Sequence, residues 1–421
     1  MQFKNVFTTA ALAGLALAAD NNSTLTTATP SVASACTFSD FTATNSAQVA
    51  QVSACATAVG DITIQGTAFG GIDLTGVQAI YGNLTVQNAT LAVTLNAPTL
   101  QIVSGTLELI ANTILATVNF AQLTTVDTLH YNALPALEET GLTTGLTSAN
   151  SVIIEDTGLT SLQGINVYKL ATFNVNNNGD IESIDSGLES VTSLLSISYN
   201  AEKVDVVLDK LTSVNNLNLQ QVNSFSAPNL TSINGSLSVA STSLDTIELT
   251  ELKSIGNSLT ISKNDDLDQL DFPVLSSVGG ALQISDNPLL ESFQGFPNLT
   301  QIGGSVNING TFNNGTFPAL TKVAGGFTLK TDGELSCSEF QQLNQNGDIK
   351  GDKYYCSGAG GASSSSSHKS GNSDSGSSTA SGSSASGSST SSSTKAGDAS
   401  SNSGKLAAVV AGFAAVGAAI F

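Results

Sequence analysis

Pairs of apolar residues separated by one variable residue recur along most of this chain. Successive pairs lie 20 to 24 residues apart. Because side chains alternate between the two faces of a β-strand, each pair predicts a short strand with one buried face. In chain order, the 13 pairs are Ile62-x-Ile64, Leu84-x-Val86, Leu107-x-Leu109, Leu129-x-Tyr131, Val152-x-Ile154, Phe173-x-Val175, Leu195-x-Ile197, Leu217-x-Leu219, Leu237-x-Val239, Leu259-x-Ile261, Leu282-x-Ile284, Val306-x-Ile308 and Phe327-x-Leu329. So regular a period predicts a solenoid in which each coil buries its apolar face against its neighbours.

The segments between these strands share a template that is clearest from Pro228 to Leu329. It reads Pro-x-Leu-[Ser/Thr]-x-[Ile/Val]-x-Gly-x-Leu-x-[Ile/Val]-x-x-Asn. Proline cannot donate to a ladder and is expected at a corner, and glycine is expected to supply a sharp corner with positive φ. Pairs such as Gly279-Gly280 and Gly303-Gly304 have no following lysine, so we interpret them as corners and not as phosphate loops. Residues 107–149 depart from the template because they lack such Gly-Gly pairs.

An asparagine follows the strand pair by three residues in several copies. Asparagine tolerates left-handed turns, and its amide can stack on the amide of the next coil. One interpretation is a polar stripe that binds a ligand, and the favoured interpretation is an internal ladder that stabilises the turns. The residues are Asn112, Asn178, Asn200, Asn264 and Asn287.

Two kinds of solenoid fit this period. A leucine-rich-repeat horseshoe has helix on the side opposite its strands, and its pattern also places Asn three residues after the strand. Helical spacing is absent between the strands of this chain, and Thr, Ser, Val, Ile and Gly predominate there. We therefore predict an all-β fold, a parallel β-helix or leucine-rich-repeat-like solenoid of about 13 coils with disulfide-stapled caps.

The four cysteines flank the repeats. Cys36 and Cys55 precede the first strand, Cys337 and Cys356 follow the last, and the members of each pair are 19 residues apart. A solenoid needs closed ends, and in a secreted chain this spacing predicts two local disulfides. The cross-pairings would join opposite ends of a long rod. A zinc site is a poor alternative, because the sequence has no Cys-x-x-Cys spacing.

The composition divides the chain into segments. Residues 1–18 have the positive start, apolar centre and Ala-x-Ala cleavage site of a secretory signal peptide. We expect a linker over residues 19–35 and the solenoid ectodomain over residues 36–356. Residues 357–397 are rich in Ser, Gly and Thr and predict an extended or disordered, glycosylated stalk that cannot form a core.

The last segment has the composition of an anchor signal. Residues 406–421 carry no charge and are shorter than the roughly 20 residues of a transmembrane helix. Small residues, a polar spacer and a terminal apolar tail together predict a GPI-attachment signal, of which residues 398–421 would be removed. Gly397 is the favoured lipid-anchor residue, and its rivals are Ala396, Asp398 and Ser400.

Candidate N-glycosylation sites are spread over the chain. The motif Asn-x-Ser/Thr is weak alone, but its repetition behind a signal peptide predicts that several sites are used. The acceptors are Asn21, Asn22, Asn83, Asn88, Asn229, Asn234, Asn298, Asn309 and Asn314. Two of them, Asn229 and Asn298, occupy the same place in their coils, between the corner Pro and the inward Leu.

Charge and composition narrow the range of partners. The formal net charge is −20, and no basic cluster is present, so nucleic acid is not expected as a partner. An acidic, glycosylated surface fits an extracellular protein. The chain has no Trp and few Tyr, which weakens a lectin interpretation, because sugar rings commonly stack on aromatic side chains.

Candidate catalytic chemistry is limited to one acidic cluster and one histidine. Glycosidases need facing carboxylates, but acids in turns are ordinarily solvated, and Ca²⁺ binding is the other alternative for this cluster. Its members are Asp265, Asp266, Asp268, Asp271, Asp286 and Glu291. His130 lies inside a strand pair and is expected to face outward rather than to serve a catalytic triad. We predict no enzyme activity, no catalytic residue, no metal and no cofactor.

Taken together, these features resemble the fungal GPI-anchored cell-wall organisation proteins, which have receptor L-domain-like repeats and are related to sporulation-specific wall proteins. The resemblance rests on the signal peptide, the two cysteine caps, the repeated Pro-x-Leu-[Ser/Thr]-x-[Ile/Val]-x-Gly units, the Ser-rich stalk and the anchor signal. It covers nearly the whole chain.

This resemblance implies a non-catalytic surface glycoprotein that contributes to cell-wall organisation and integrity. Its expected location is the extracellular side of the plasma membrane, the cell wall, or both. The implied partners are wall polysaccharide, specifically glucan, and the plasma membrane through the anchor. A receptor-like module for an unidentified glycan or protein ligand is the alternative, and a wall-modifying enzyme acting through Asp266 or Asp268 is the third hypothesis.

Overall fold

Stacked parallel strands build the part of the chain that the computed structural model describes, residues 28–366. The strands form a β-solenoid of about 13 turns, as predicted. The principal strand of each coil lies on one long sheet. These strands are Phe41–Ala43, Ile62–Gln65, Leu84–Gln87, Ile102–Ile110, Thr125–Leu134, Ser151–Thr157, Lys169–Asn176, Ser190–Ser198, Ser213–Gln220, Leu237–Ala240, Leu259–Ser262, Leu282–Ser285, Val306–Gly310, Phe327–Thr331 and Lys353–Gly358.

Shorter strands complete the coils. Some precede a principal strand in the same sheet, namely Thr57–Val59, Ala79–Tyr81, Ser232–Ile233, Ser254–Ile255, Ser277–Val278, Gln301–Ile302 and Lys322–Val323. Others form three small parallel sheets on a second side, namely Gly71–Asp73, Thr94–Asn96 and Thr117–Asn119, then Ser183–Asp185, Asp205–Val207 and Ser224–Ser226, then Thr246–Glu248 and Gln269–Asp271. Most coils contain two or three strands and no helix, which confirms the β-helix interpretation.

The principal strands pair in the register that the repeat predicts. Leu237 lies opposite Leu259, and Leu259 lies opposite Leu282. All 13 predicted pairs fall in principal strands and are buried. The sequence pattern missed one strand at each end: Phe41 pairs with Ile62, and Phe327 pairs with Tyr354. The stack of principal strands therefore extends beyond the predicted copies on both sides.

The interior is a continuous apolar column with an aromatic section towards its C-terminal end. Phe272 and Phe296 stack with ring centroids 5.0 Å apart, and Phe296 lies 5.9 Å from Phe317. Each occupies the inward position directly before a corner proline. Like side chains thus stack on like from coil to coil and fill the core.

The predicted asparagine ladder is confirmed as an internal structure. Asn264 donates from Nδ2 to Oδ1 of Asn287 over 3.0 Å, and the equivalent bond joins Asn178 to Asn200. These residues and Asn112 are at most 7 % exposed. Their amides satisfy backbone groups that would otherwise be buried without partners, so the binding-stripe interpretation is wrong.

The prediction for the corner glycines holds only for the first coils, where Gly60 and Gly82 have positive φ (109° and 156°), and the late corner glycines have a different role. Positive φ occurs two residues after the strand pair, just before the ladder position, in side-chain-bearing residues such as Tyr199 (53°), Lys263 (59°) and Asp286 (57°). Gly279 and Gly303 are not in this conformation. A Cβ on Gly279 would instead overlap the carbonyl oxygen of Gly256 in the preceding coil, so close approach of the backbones requires glycine there.

The Ser/Thr position of the template forms a second ladder. The Thr231 hydroxyl donates to the carbonyl oxygen of Thr212 over 3.0 Å, and Thr300 donates to Ser276 over 2.9 Å. Each acceptor occupies the equivalent position in the preceding coil. This row of hydroxyls explains why the template prefers Ser or Thr after the inward Leu.

Disulfide-bonded caps close the two ends. At the N-terminal end, the 3₁₀ turn Ser34–Cys36 and the helix Ser46–Ser53 are joined by the Cys36–Cys55 disulfide. At the C-terminal end, the helix Ser338–Gln345 follows Cys337, which is bonded to Cys356. Both predicted pairings are confirmed.

The sheet continues past the second cap. The strand Gly361–Ser366 pairs antiparallel with Lys353–Gly358. It covers the last sheet edge with backbone hydrogen bonds, as edge protection requires. The folded sheet therefore reaches into the segment assigned to the stalk. The rest of that segment lies outside the described residues and stays a prediction.

Candidate functional site

The outer face of the principal sheet is a regular surface that runs along the stacked strands. In each principal strand the inward pair is buried, and the residues between and beside the pair point outward. Because the strands are in register, outward residues form rows that run along the solenoid. The rows present polar side chains at the spacing of the strands, about 4.8 Å.

A charged cluster occupies this face in the early coils. Nδ1 of His130 lies 3.1 Å from Oε1 of Glu108, and Nε2 lies 3.9 Å from Oε2 of Glu155, beyond hydrogen-bonding distance. Asn132 and Asn174 donate to the Glu155 carboxylate over 3.0 and 2.7 Å. Glu155 raises the pKa of His130 against the opposing effect of burial, and His130 lowers the pKa of Glu155.

This cluster has the geometry of an ion-pair network. His130 faces outward, as predicted, with 21 % of its side chain exposed. Its Nε2 makes no hydrogen bond to any described residue, so the nucleophile–base contact of a Ser-His-Asp triad is absent from residues 28–366. The sequence interpretation missed Glu108 and Glu155, although both occupy outward positions in neighbouring copies.

The predicted acidic cluster lies on turns and on the second side of the solenoid. Its residues are exposed except Asp271, which is half-buried. Asp266 borders a shallow depression with Glu202, Lys203 and Asp245. No group of three or more acidic, His or Cys side chains between residues 28 and 366 is arranged to hold a metal ion. The arrangement is that of a solvated acidic edge.

A second part of the sheet face carries no ionisable side chain. We call the outward positions of the six principal strands from Lys169–Asn176 to Leu282–Ser285, counted from one residue before to one residue after each inward pair, the neutral face. Its flanking rows consist of Ser, Thr, Asn, Gln, Ala and Leu194. Its central row is Asn174, Ser196, Asn218, Ser238, Thr260 and Gln283.

The candidate glycan acceptors lie mainly at corners and towards the ends. Asn88, Asn229, Asn234, Asn298, Asn309 and Asn314 are exposed, and Asn83 is half-buried. Asn83 and Asn309 lie on the sheet face but outside the neutral face. Asn21, Asn22 and the four candidate anchor residues around Gly397 lie outside the described residues. All of these modifications remain predictions.

The length and apolarity of the helices in the described residues bear on whether they could cross a bilayer. Between residues 28 and 366, no helix is both long and apolar enough to span a bilayer.

The fold and its face define a class: repeat proteins that present an extended, regular surface from a rigid stack of coils. No family model matches the chain, and no solved structure matches it. Curated relatives do match over most of their length.

The relatives are fungal wall and surface proteins. The chain is 37 % identical to "Cell surface GPI-anchored protein ECM33" of Candida albicans over 340 residues, which are 80 % of this chain and 82 % of that protein. It is 36 % identical to "Cell wall mannoprotein PST1" of Saccharomyces cerevisiae (75 % and 70 % covered) and 32 % identical to "Cell wall protein ecm33" of Schizosaccharomyces pombe (78 % of each). The chain belongs to this family of fungal GPI-anchored cell-surface and cell-wall proteins.

Proposed function

We propose that this chain is a non-catalytic surface glycoprotein that contributes to the organisation and integrity of the fungal cell wall. The observation that carries the proposal is the uninterrupted in-register stack of principal strands, closed at both ends by disulfide-bonded caps. Such a stack is a stiff scaffold with large, repetitive surfaces, and the wall relatives support that use.

The internal ladders supply the stiffness. Adjacent coils are joined by strand pairing, by buried asparagine amides and by hydroxyl-to-carbonyl bonds at the corner. Bending the rod would break several of these bonds at one coil boundary, and each buried polar group left unpaired costs about 1–3 kcal/mol. The scaffold can therefore hold a defined surface outside the membrane.

In this proposal the stalk and a GPI anchor near Gly397 hold the scaffold on the outer side of the plasma membrane or transfer it to wall glucan. Glycans on the exposed acceptor asparagines would project from the corners without disturbing the core. Plasma membrane and wall polysaccharide are thus the proposed partners.

The test is genetic. A strain that lacks the protein is grown on a chitin-binding dye and complemented with the full chain, with a chain ending at Ser403, and with a chain from which residues 36–356 are removed. We expect dye hypersensitivity that only the full chain corrects, because both the folded scaffold and the anchor signal are needed. Immunoblotting for equal expression is the control.

Two outcomes would contradict the proposal. Rescue by the chain without residues 36–356 would mean that the solenoid has no part in wall integrity. A deletion strain with normal dye resistance would remove the wall role and favour a ligand-binding surface protein.

A further inference from the structure

We propose that the neutral face binds an extended, uncharged polysaccharide chain through its rows of hydroxyl and amide groups. The inference rests on the proposed location at the cell wall and adds to it a non-covalent binding surface with a defined chemistry. It is distinct from any covalent attachment through the anchor.

The first observation is the segregation of charge. The whole chain carries a formal charge of −20, yet between Thr172 and Ser285 every Asp, Glu and Lys lies outside the neutral face. Acids of the same coils occupy the corners and the second side, as Asp205, Glu248 and Asp271 do. The neutral face is therefore an uncharged area within an acidic surface.

Folding alone does not require this neutrality. On the second side, Glu248 and Asp271 lie directly opposite one another in neighbouring coils, so the solenoid tolerates stacked like charges. On the same sheet, Glu108, His130 and Glu155 occupy outward positions in successive early coils. Charged residues are compatible with both surfaces, and their absence from the neutral face calls for another reason.

The second observation is how the polar groups are held. Asn218 donates to the Ser196 hydroxyl over 3.2 Å, and Ser198 donates to Oδ1 of Asn176 over 3.3 Å. Ser196 in the central row and Ser198 in a flanking row are only 7 % and 5 % exposed, so this part of the face is a shallow, preorganised floor. Fixed donors and acceptors lose little entropy when they bind a ligand.

The third observation is an aromatic ring at the margin. Tyr199 follows Ser198 at the left-handed corner and is 48 % exposed. Sugar-binding sites commonly combine an aromatic side chain, on which the sugar ring stacks, with hydroxyl and amide groups that hydrogen-bond to the sugar. Tyr199 and the neighbouring floor offer this combination.

These features indicate the chemical class of the ligand, an uncharged glycan. A neutral glycan offers hydroxyls that match Ser, Thr, Asn and Gln without any charge to desolvate, and a polyanionic glycan would be repelled by the acidic surroundings. An extended chain of identical sugars also matches a surface that repeats at every coil. A second copy of the protein is the competing occupant.

Two test variants each add an N-glycosylation acceptor, so that the attached glycan covers the surface around it. Ser258→Asn creates an Asn-Leu-Thr acceptor on the neutral face, in the row where Asn216 already accepts a backbone hydrogen bond from the next coil. Val274→Asn creates an Asn-Leu-Ser acceptor at the corner position that Asn229 and Asn298 occupy in their own coils. The two variants add the same kind of modification to different faces.

The assay uses the full chain, purified in detergent and immobilised. The probes are soluble β-1,3-linked glucose oligosaccharides and chito-oligosaccharides, with polygalacturonate fragments as the charged control. We expect saturable binding of a neutral probe to the wild type and to Val274→Asn, a loss of about tenfold or more in Ser258→Asn, and no binding of polygalacturonate. Trimming of the N-glycans by an endoglycosidase, which leaves a single uncharged sugar on the acceptor, should restore most of the binding to Ser258→Asn.

Thr260→Lys is a further variant of the neutral face, used in case the added glycan impairs folding. Gln269→Lys, on the second side, is its matched control. Secretion level and thermal unfolding identify misfolded variants. The proposal is overturned if neither neutral probe saturates the wild type, or if folded Ser258→Asn and Thr260→Lys both bind normally. It is also overturned if light scattering shows a wild-type dimer that Ser258→Asn dissociates, without sugar binding.

Failure of the wall function would look different. Dye hypersensitivity of the deletion strain is measured separately, and Ser258→Asn is tested for rescue. Normal resistance in the deletion strain together with sugar binding by the wild type would refute the wall role and leave the binding face supported. Hypersensitivity without any sugar binding would do the reverse.

Discussion

Two regions of the solenoid stack their coils in the same way but differ in backbone conformation. The early coils lie between Ile102 and Gln220, and the late coils lie between Ser232 and Thr331. In the early coils most principal strands run without interruption and change register within the strand, as between Val126 and Thr128. In the late coils two short strands, such as Ser277–Val278 and Leu282–Ser285, are separated by a glycine corner.

The difference shows what the glycines do. In the late coils the corner backbone of one coil lies against the carbonyl of the coil before it, and glycine leaves room for that approach. In the early strand Thr125–Leu134, two residues separate the inward Val126 from Leu129, whereas three separate Val278 from Leu282 in the late coils. Asp127 therefore lies in a shorter connection, and the extra residue of the register shift belongs to the neighbouring strand Ile102–Ile110. Departure from the glycine template therefore marks a change of backbone and leaves the stacking intact.

The largest expected effect follows from the prediction that a late corner cannot accept a side chain. Gly279→Val places a branched side chain against the carbonyl of Gly256, and the stacked coils on both sides prevent relaxation. We expect a loss of about 4 kcal/mol in the free energy of unfolding, or failure to secrete the protein. Urea unfolding monitored by circular dichroism measures it.

Two substitutions control for this effect. At Gly179 no atom lies within 4 Å of the place that a Cβ would occupy, and Asp127 already carries a half-buried side chain. Gly179→Ala and Asp127→Ala should each change stability by no more than about 0.5 kcal/mol. Equal stability of Gly279→Val and Gly179→Ala would refute the close-approach explanation.

The asparagine ladder should behave alike in the two regions. Asn264 accepts from the Thr242 N–H and hydroxyl and donates to Val239 and Asn287. Asn178 makes the corresponding bonds to Thr157, Ile154 and Asn200. Substitution of either by Ala should cost about 3 kcal/mol, because it leaves several buried groups without partners.

Chemical denaturation of Asn264→Ala and Asn178→Ala measures this cost. Asn307→Ala is the control, since Asn307 is exposed on the outer sheet face. A cost in only one region would mean that the ladder depends on the local backbone, and the two regions would then differ in more than their corners.

The sequence predicts the parts of this fold that repeat. The 13 strand pairs, the buried asparagines and the two local disulfides all follow from residue type at a fixed period. Hydrophobic burial and buried amides leave little choice of residue, so the pattern is visible in one sequence.

Features that depend on backbone conformation alone were not predictable. Tyr199, Gln221 and Lys263 adopt positive φ, although only Asn, Asp and Gly have a marked preference for it. The terminal principal strands were missed because cap residues such as Cys356 stand in the inward positions. The Glu108–His130–Glu155 cluster needed the register of three coils, which the departures from the glycine template obscured.

The smallest expected effect concerns the Glu108–His130–Glu155 ion pairs on the early part of the sheet face. The pKa of His130 is raised by Glu155, so its stabilising contribution is complete below the unfolded pKa of about 6.5 and is lost as pH rises through the folded value. The pKa of Glu155 is lowered, so its contribution is lost only as acid titrates its folded pKa. The ion pair is therefore complete near pH 5.5.

His130→Gln should lower the free energy of unfolding by about 1 kcal/mol at pH 5.5, and by less at pH 8.5, because the contribution of the protonated ring falls as pH rises through the folded pKa. Urea unfolding at both pH values gives the two differences. Lys169→Gln is the matched control, because Lys169 also pairs with a carboxylate, that of Glu189, at 3.8 Å. A difference for His130→Gln that does not change with pH would mean that the ring is held by packing, and the early and late faces would then differ in residue type without differing in pH response.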